Sequence, residues 1–101
     1  MLFLILSSNP DFLPVTRIKV PGRNADDNPG LAFASKEIGR FFMKARQISE
    51  DQHQLTDVGA AHKLAKIPKY ILIFQSEQQV LDSLADPEGY DYESLIESFE
   101  N

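Results

Sequence analysis

The chain contains no cysteine. That excludes disulfides, thiolate zinc sites and thiol nucleophiles together, and it fits a reducing interior such as the cytoplasm. No apolar run approaches the roughly 20 residues that span a bilayer. The opening Met1–Leu6 is apolar but short, has no positive flank and is followed by no small-residue cleavage site. A soluble, unprocessed, cytoplasmic protein with no membrane partner is therefore expected. There is no Gly-x-Gly-x-x-Gly and no P-loop, so a nucleotide phosphate would find no close backbone approach. There is no Gly-x-Ser-x-Gly elbow around any serine, which removes the commonest nucleophile signature.

The most informative absence is of positive charge. All ten lysines and arginines lie between Arg17 and Lys69. From Tyr70 onward there are eight acids and no base: Glu77, Asp82, Asp86, Glu88, Asp91, Glu93, Glu97 and Glu100. Residues 1–69 hold ten bases and seven acids, so the two parts carry +3 and −8 within a net charge of −5. Such a split speaks about partners and association rather than about fold.

What is present supports one compact domain over residues 1–101. Hydrophobic residues make up 43% of the chain, enough for a core without staples. Leu2–Leu6 is a continuous apolar run closed by Ser7-Ser8-Asn9-Pro10-Asp11, as in a strand buried on both faces. Val15–Val20 alternates, with Thr16, Ile18 and Val20 opposite Arg17 and Lys19, as in a half-exposed edge strand antiparallel to the first. Pro21–Gly30 reads as a polar loop, with Asn28-Pro29 as a helix start. A helix is expected from about Leu31 to Ile48, on the spacing of Leu31, Ala34, Ile38, Phe41, Ala45 and Ile48. Ser49-Glu50-Asp51-Gln52 has capping-box spacing, and a second helix is expected near Leu55–Lys66, ended by Pro68. Tyr70–Phe74 is a second buried strand, followed by a capped helix from Ser76 with Val80, Leu81 and Leu84 inward. After the turn Asp86–Gly89, Tyr92, Leu95, Ile96 and Phe99 mark a last helix over about Tyr90–Phe99. The expected fold is α/β (or α+β): a small three-stranded mixed sheet packed by about four helices, order β-β-α-α-β-α-α. The two apolar strands would be parallel neighbours.

On that layout three surfaces compete. Glu93, Glu97 and Glu100 fall on one face of the expected last helix, with Asp91 and Glu88 close by, and would present a charge row to a basic protein. Lys36, Arg40 and Lys44 follow at i, i+4, i+8 on the first helix, with Phe33 and Met43 among them and Arg17, Lys19 and Arg23 near in sequence. A basic row with an interleaved aromatic can grip single-stranded nucleic acid; the plainer reading is a solvated helix face, and the net charge has the wrong sign for a dedicated nucleic-acid binder. Ser8, Asn9 and Ser76 would meet at the ends of two parallel strands, where ligands of open α/β sheets bind; ordinary turns and a helix cap explain them equally. His53 and His62, with Asp51 and Asp57, have no recognised metal-ligand spacing, and paired carboxylates such as Asp26-Asp27 sit in polar stretches where nothing raises a pKa. No metal, cofactor or catalytic residue is assigned. The sequence reading is a non-enzymatic intracellular regulatory domain, inhibitory in one form, whose acidic C-terminal face meets a basic partner that handles nucleic acid. The alternatives are a nucleic-acid-associated module and a small-ligand-binding domain.

Overall fold

Tyr-Ile-Leu-Ile-Phe at 70–74 is apolar at both periods of a strand, and only a position inside a sheet with both faces covered buries all of it. The computed structural model describes residues 1–7 and 15–99 and puts this segment there. Five strands occur in chain order: β1 (Phe3–Ser7), β2 (Gly30–Phe33), β3 (His53–Asp57), β4 (Tyr70–Phe74) and β5 (Ile96–Ser98). Three helices, α1 (Lys36–Ala45), α2 (Val58–Leu64) and α3 (Glu77–Ala85), give the order β-β-α-β-α-β-α-β. The sheet runs β3-β1-β2-β4-β5. Only β2 and β4 are parallel; β1 is antiparallel to β2 and β3, and β5 to β4.

Each face of the sheet has its own core. Ile5, Leu31, Phe33, Leu72 and Phe74 point to one face and are covered by Ile38, Phe42 and Met43 of α1, Val80 of α3 and Tyr92. Phe33, Phe42 and Phe74 form a ring cluster with centroids 5.4 to 6.0 Å apart, one pair stacked and two tilted, contacts that add to their area burial. Leu4, Leu6, Ala32, Ile71 and Ile73 point to the other face, beneath Ala61 of α2 and Ile67. Two serines fix where helices begin on the first face. Ser35 Oγ accepts from the Ile38 N–H at 3.3 Å and Ser76 Oγ from the Gln79 N–H at 3.2 Å. The Gln79 side chain returns to the Gln75 N–H at 2.7 Å, one residue ahead of the cap.

Five expectations from the sequence need correction. The segment Leu31–Phe33 is strand, not helix; every residue of β2 is buried, and apolar residues buried all round carry no period to read. Asn28 does not cap a helix: its side chain accepts from the Val20 N–H at 3.1 Å. Leu55–Asp57 belongs to β3, and the Asp57 carboxylate caps α2 through the Ala60 N–H at 3.1 Å; Ser49 closes a turn onto the Asp51 N–H instead. The last helix is replaced by a single 3-10 turn, Glu93–Leu95, and strand β5, because the free edge of β4 captures the segment and seats Ile96 opposite Leu72. The three-stranded sheet is thus five-stranded, with three helices rather than four.

The fifth correction concerns Val15–Val20. Its alternation holds, with Ile18 and Val20 buried and Arg17 and Lys19 exposed. It is not an edge strand, however. The Thr16 N–H donates to the Ile5 carbonyl at 2.9 Å, and the Thr16 carbonyl accepts from the Leu31 N–H at 2.8 Å. The segment is a wedge between β1 and β2, which pair directly only at Phe3↔Phe33 and Leu4↔Ala32. Gly30 permits the approach: a Cβ there would lie 3.0 Å from Val15 Cγ1 and 3.2 Å from Pro68 Cγ.

Candidate interaction surfaces

The acidic residues of this part lie along the stretch from the end of α3 to β5. Glu88, Asp91, Glu93 and Glu97 are exposed, while Glu100 lies outside the described residues. They do not form a helical row. Glu93 stands on the 3-10 turn, and Glu97 is the middle residue of β5, opposite Ile71 and on the face away from α1. The Asp91 carboxylate accepts from the Ser94 N–H at 3.3 Å, which shapes the turn. Glu93 receives Arg23 Nε on both oxygens, at 3.1 and 3.0 Å. The same guanidinium donates to the Asp27 carbonyl at 3.0 Å and lies 4.8 Å above the Tyr70 ring. Its pKa is raised, chiefly by the Glu93 hydrogen bond. So one cation from the first part of the chain does tie down one acid of the last part. It is Arg23 rather than the Lys36, Arg40 and Lys44 row.

That basic row lies toward the β3 edge. All three side chains are exposed along α1, and α1 packs across β2, β1 and β3. Lys36 and Arg40 border a depression of about 160 Å³ beside β3, with Met43, Glu50, His53, Gln54 and Leu55. Lys36 Nζ stands 5.7 Å above the Phe3 ring, and Arg40 reaches Glu50 at 4.0 Å. Phe33, expected among these cations, is fully buried at the end of β2 and offers no stacking platform; Met43 is buried as well. The reason is the misplaced start of α1: a residue before the Ser35 cap follows the pleat of the sheet rather than the face of the helix.

Arg17 and Lys19 are exposed on the wedge, away from that row. With Arg46 they border a shallow depression of about 260 Å³ floored by Ile18, Leu31 and Phe42. It adjoins a cleft of about 580 Å³ where Lys19 and Arg46 face Pro87, Glu88 and Tyr92. Arg46 lies 5.3 Å from the Phe42 centroid. Sequence reading missed Arg46 and Tyr92, since nothing in their spacing links the end of α1 to the turn after α3.

The ligand site at the strand ends does not assemble. Ser8 and Asn9 lie outside the described residues. β1 runs opposite to β4, so Ser7 ends at the other end of the sheet from Ser76. Ser76 instead neighbours Ser35 at the ends of β2 and β4, where the Ala34 N–H donates to the Phe74 carbonyl at 3.0 Å. Both serine oxygens cap their own helices, and Glu37 and Glu77 occupy the first turns. Two carboxylates there oppose an anionic ligand. His53 Nδ1 lies 3.0 Å from the Ser49 carbonyl, and the His62 ring is tilted against Phe99 with centroids 6.2 Å apart. Among the described residues no group of three or more His, Asp or Glu side chains is placed to hold a metal ion, and no helix is long and apolar enough to cross a membrane.

The structure therefore defines an α/β domain with a mixed five-stranded sheet. No family model, no curated protein and no solved structure matches this chain.

Proposed function

We propose that this chain is a non-catalytic protein-binding domain, regulatory or inhibitory in role, that engages a basic, nucleic-acid-handling partner through the surface bearing Glu88, Asp91, Glu93 and Glu97. One observation carries the reading. These four carboxylates are exposed between the end of α3 and β5, and of the four only Glu93 has an ion-pair partner among the described residues. Charges left unpaired on such a surface set the on-rate and orientation of a complementary partner more than they stabilise the fold. The test uses a fluorescent oligolysine peptide. Replacing Glu88→Gln, Asp91→Asn and Glu97→Gln together is expected to weaken binding at low salt by at least about fivefold. A control that removes three charges elsewhere, at Glu37, Glu50 and Asp51, on α1 and ahead of β3, should change it less than about twofold. Equal losses from the two triple variants would sink the reading.

The exposure of Lys36, Arg40, Lys44, Arg17 and Lys19 supports a second reading, association with nucleic acid. Without Phe33 it rests on charge alone. Polarisation of a short labelled single strand at two salt concentrations decides it, because phosphate contacts weaken steeply with salt. No binding at low salt removes it.

A further inference from the structure

Three cations without ion-pair partners gather on the α1 side of the sheet. Arg17 and Lys19 of the wedge and Arg46, the C-cap of α1, are exposed. Among the described residues none of the three is in an ion pair. All three border the depression of about 260 Å³, and no acid lines it. Lys19 and Arg46 continue into the cleft of about 580 Å³, where Glu88 is the one acid. The two hollows share Ile18, Lys19 and Arg46 and so form a single strip.

The strip is preformed. Its floor is Ile18, Leu31, Phe42 and Tyr92, which come from the wedge, β2, α1 and the turn after α3 and belong to one core. The Arg46 guanidinium lies 5.3 Å from the Phe42 ring centroid, which holds a flat fork of donors beside that floor. Pro21 and Pro87 add apolar walls to the cleft.

These features choose among anions. A single nucleic-acid strand is gripped by rings on which its bases stack. The two rings here, Phe42 and Tyr92, are only 2% and 3% exposed and serve as floor. A small ligand is held where the protein covers most of its surface, whereas this strip is shallow and open along its length. Guanidinium forks take carboxylates two bonds at a time, and the apolar floor between the cations suits an apolar side chain. An extended segment with carboxylates on either side of one apolar anchor meets both conditions.

We infer that this strip docks an acidic peptide of another protein, with its carboxylates on Arg17, Lys19 and Arg46 and an aromatic or large aliphatic side chain in the cleft against Ile18 and Tyr92. The site is separate from the acidic surface proposed above and stands without it; of those four carboxylates only Glu88 borders the cleft.

The probe is a short fluorescent peptide with glutamates on both sides of one phenylalanine, followed by polarisation at about 0.1 M salt, where charges more than about 10 Å apart are screened. Binding at about 100 μM or tighter is expected. Lys19→Gln with Arg46→Gln weakens it at least about tenfold. Arg17→Gln with Lys19→Gln does the same and leaves Arg46 on Phe42. Lys63→Gln with Lys66→Gln removes equal charge beside Ala61 and Ile67, on the other face of the sheet, and changes binding less than about twofold. Glu88→Gln tightens it, because that carboxylate repels the peptide. Alanine in place of the peptide's phenylalanine weakens it at least about fivefold. A wild-type protein that does not bind overturns the inference; so do equal losses from the two faces. A labelled single strand that binds through the same cations more tightly than the peptide returns the strip to nucleic acid. Displacement of the peptide by an equal concentration of N-acetylphenylalanine assigns it to a small carboxylate. Either result overturns the peptide.

Discussion

Replacing Gly39 by alanine sets two effects against each other. Glycine inside a helix costs about 1 kcal/mol relative to alanine, so at an exposed position of α1 the change would stabilise. Gly39 is buried, however, and faces β3. A Cβ there would stand 2.6 Å from Leu55 Cδ2, 2.9 Å from Cδ1 and 3.3 Å from Cγ. Carbon pairs settle at about 3.5–4.0 Å, so the leucine must retreat by about 1 Å. Turning about the Cβ–Cγ bond brings no relief, because both methyls and their branch point are too close. The side chain has to leave its rotamer or swing outward toward Lys36 and His53. Overpacking of this kind costs about 1–3 kcal/mol. The net expectation is a loss of about 1 kcal/mol, seen as a urea midpoint shifted down at unchanged slope. Introduced into Leu55→Ala, the same Gly39→Ala change should stabilise by about 1 kcal/mol, since the obstacle is gone and only the helix preference remains. If Gly39→Ala stabilises the wild-type protein by that amount, α1 does not press on β3 and the reasoning is wrong.

Phe33→Ala is expected to cost about 3–5 kcal/mol, against less than about 0.5 kcal/mol for Lys36→Ala, both read by urea denaturation. Similar small losses would return Phe33 to the surface. Ser35→Ala and Ser76→Ala should each cost about 1 kcal/mol, since each removes the oxygen that closes a helix start; no change in either midpoint would contradict the capping geometry. Burial raises the pKa of Tyr92, opposed by Arg46 and aided by Asp86, and burial with Asp82 and Asp91 raises that of Tyr90. The fold therefore favours the neutral phenols. That contribution is complete below the unfolded value of about pH 10 and is lost as the pH climbs through the raised folded values. Denaturation midpoints should fall in that alkaline window, and less steeply for Tyr92→Phe; an identical slope would refute the assignment.

Much of the interior was legible in the chain. Leu2–Leu6 and Tyr70–Phe74 have the composition of fully buried strands, and the Ser76 helix start carries its own chemistry. Misreadings arose where tertiary pairing outweighed local pattern. Gly30–Phe33 continues smoothly into the helical spacing of Ile38 and Phe42, and only a central place in the sheet makes it a strand. Tyr92, Leu95, Ile96 and Phe99 repeat as a helix would, but the unpaired edge of β4 was a better partner than solvent. The charge asymmetry itself was plain in the sequence. Which acid meets which cation was not, because the approach of Arg23 to Glu93 depends on where the 21–30 loop lies across Tyr70.

The wedge at Val15–Val20 separates regularity from protection. Thr16 belongs to no regular element, yet its N–H is held by β1 and its carbonyl by β2. To expose that amide the two central strands must part, which means opening the middle of the sheet rather than fraying a loop. Its exchange with solvent deuterium is tied to global unfolding, whereas the three residues of β5, at the margin, can open on their own. The slowest clock in this molecule thus includes an irregular stretch, and one of the fastest ticks in a strand.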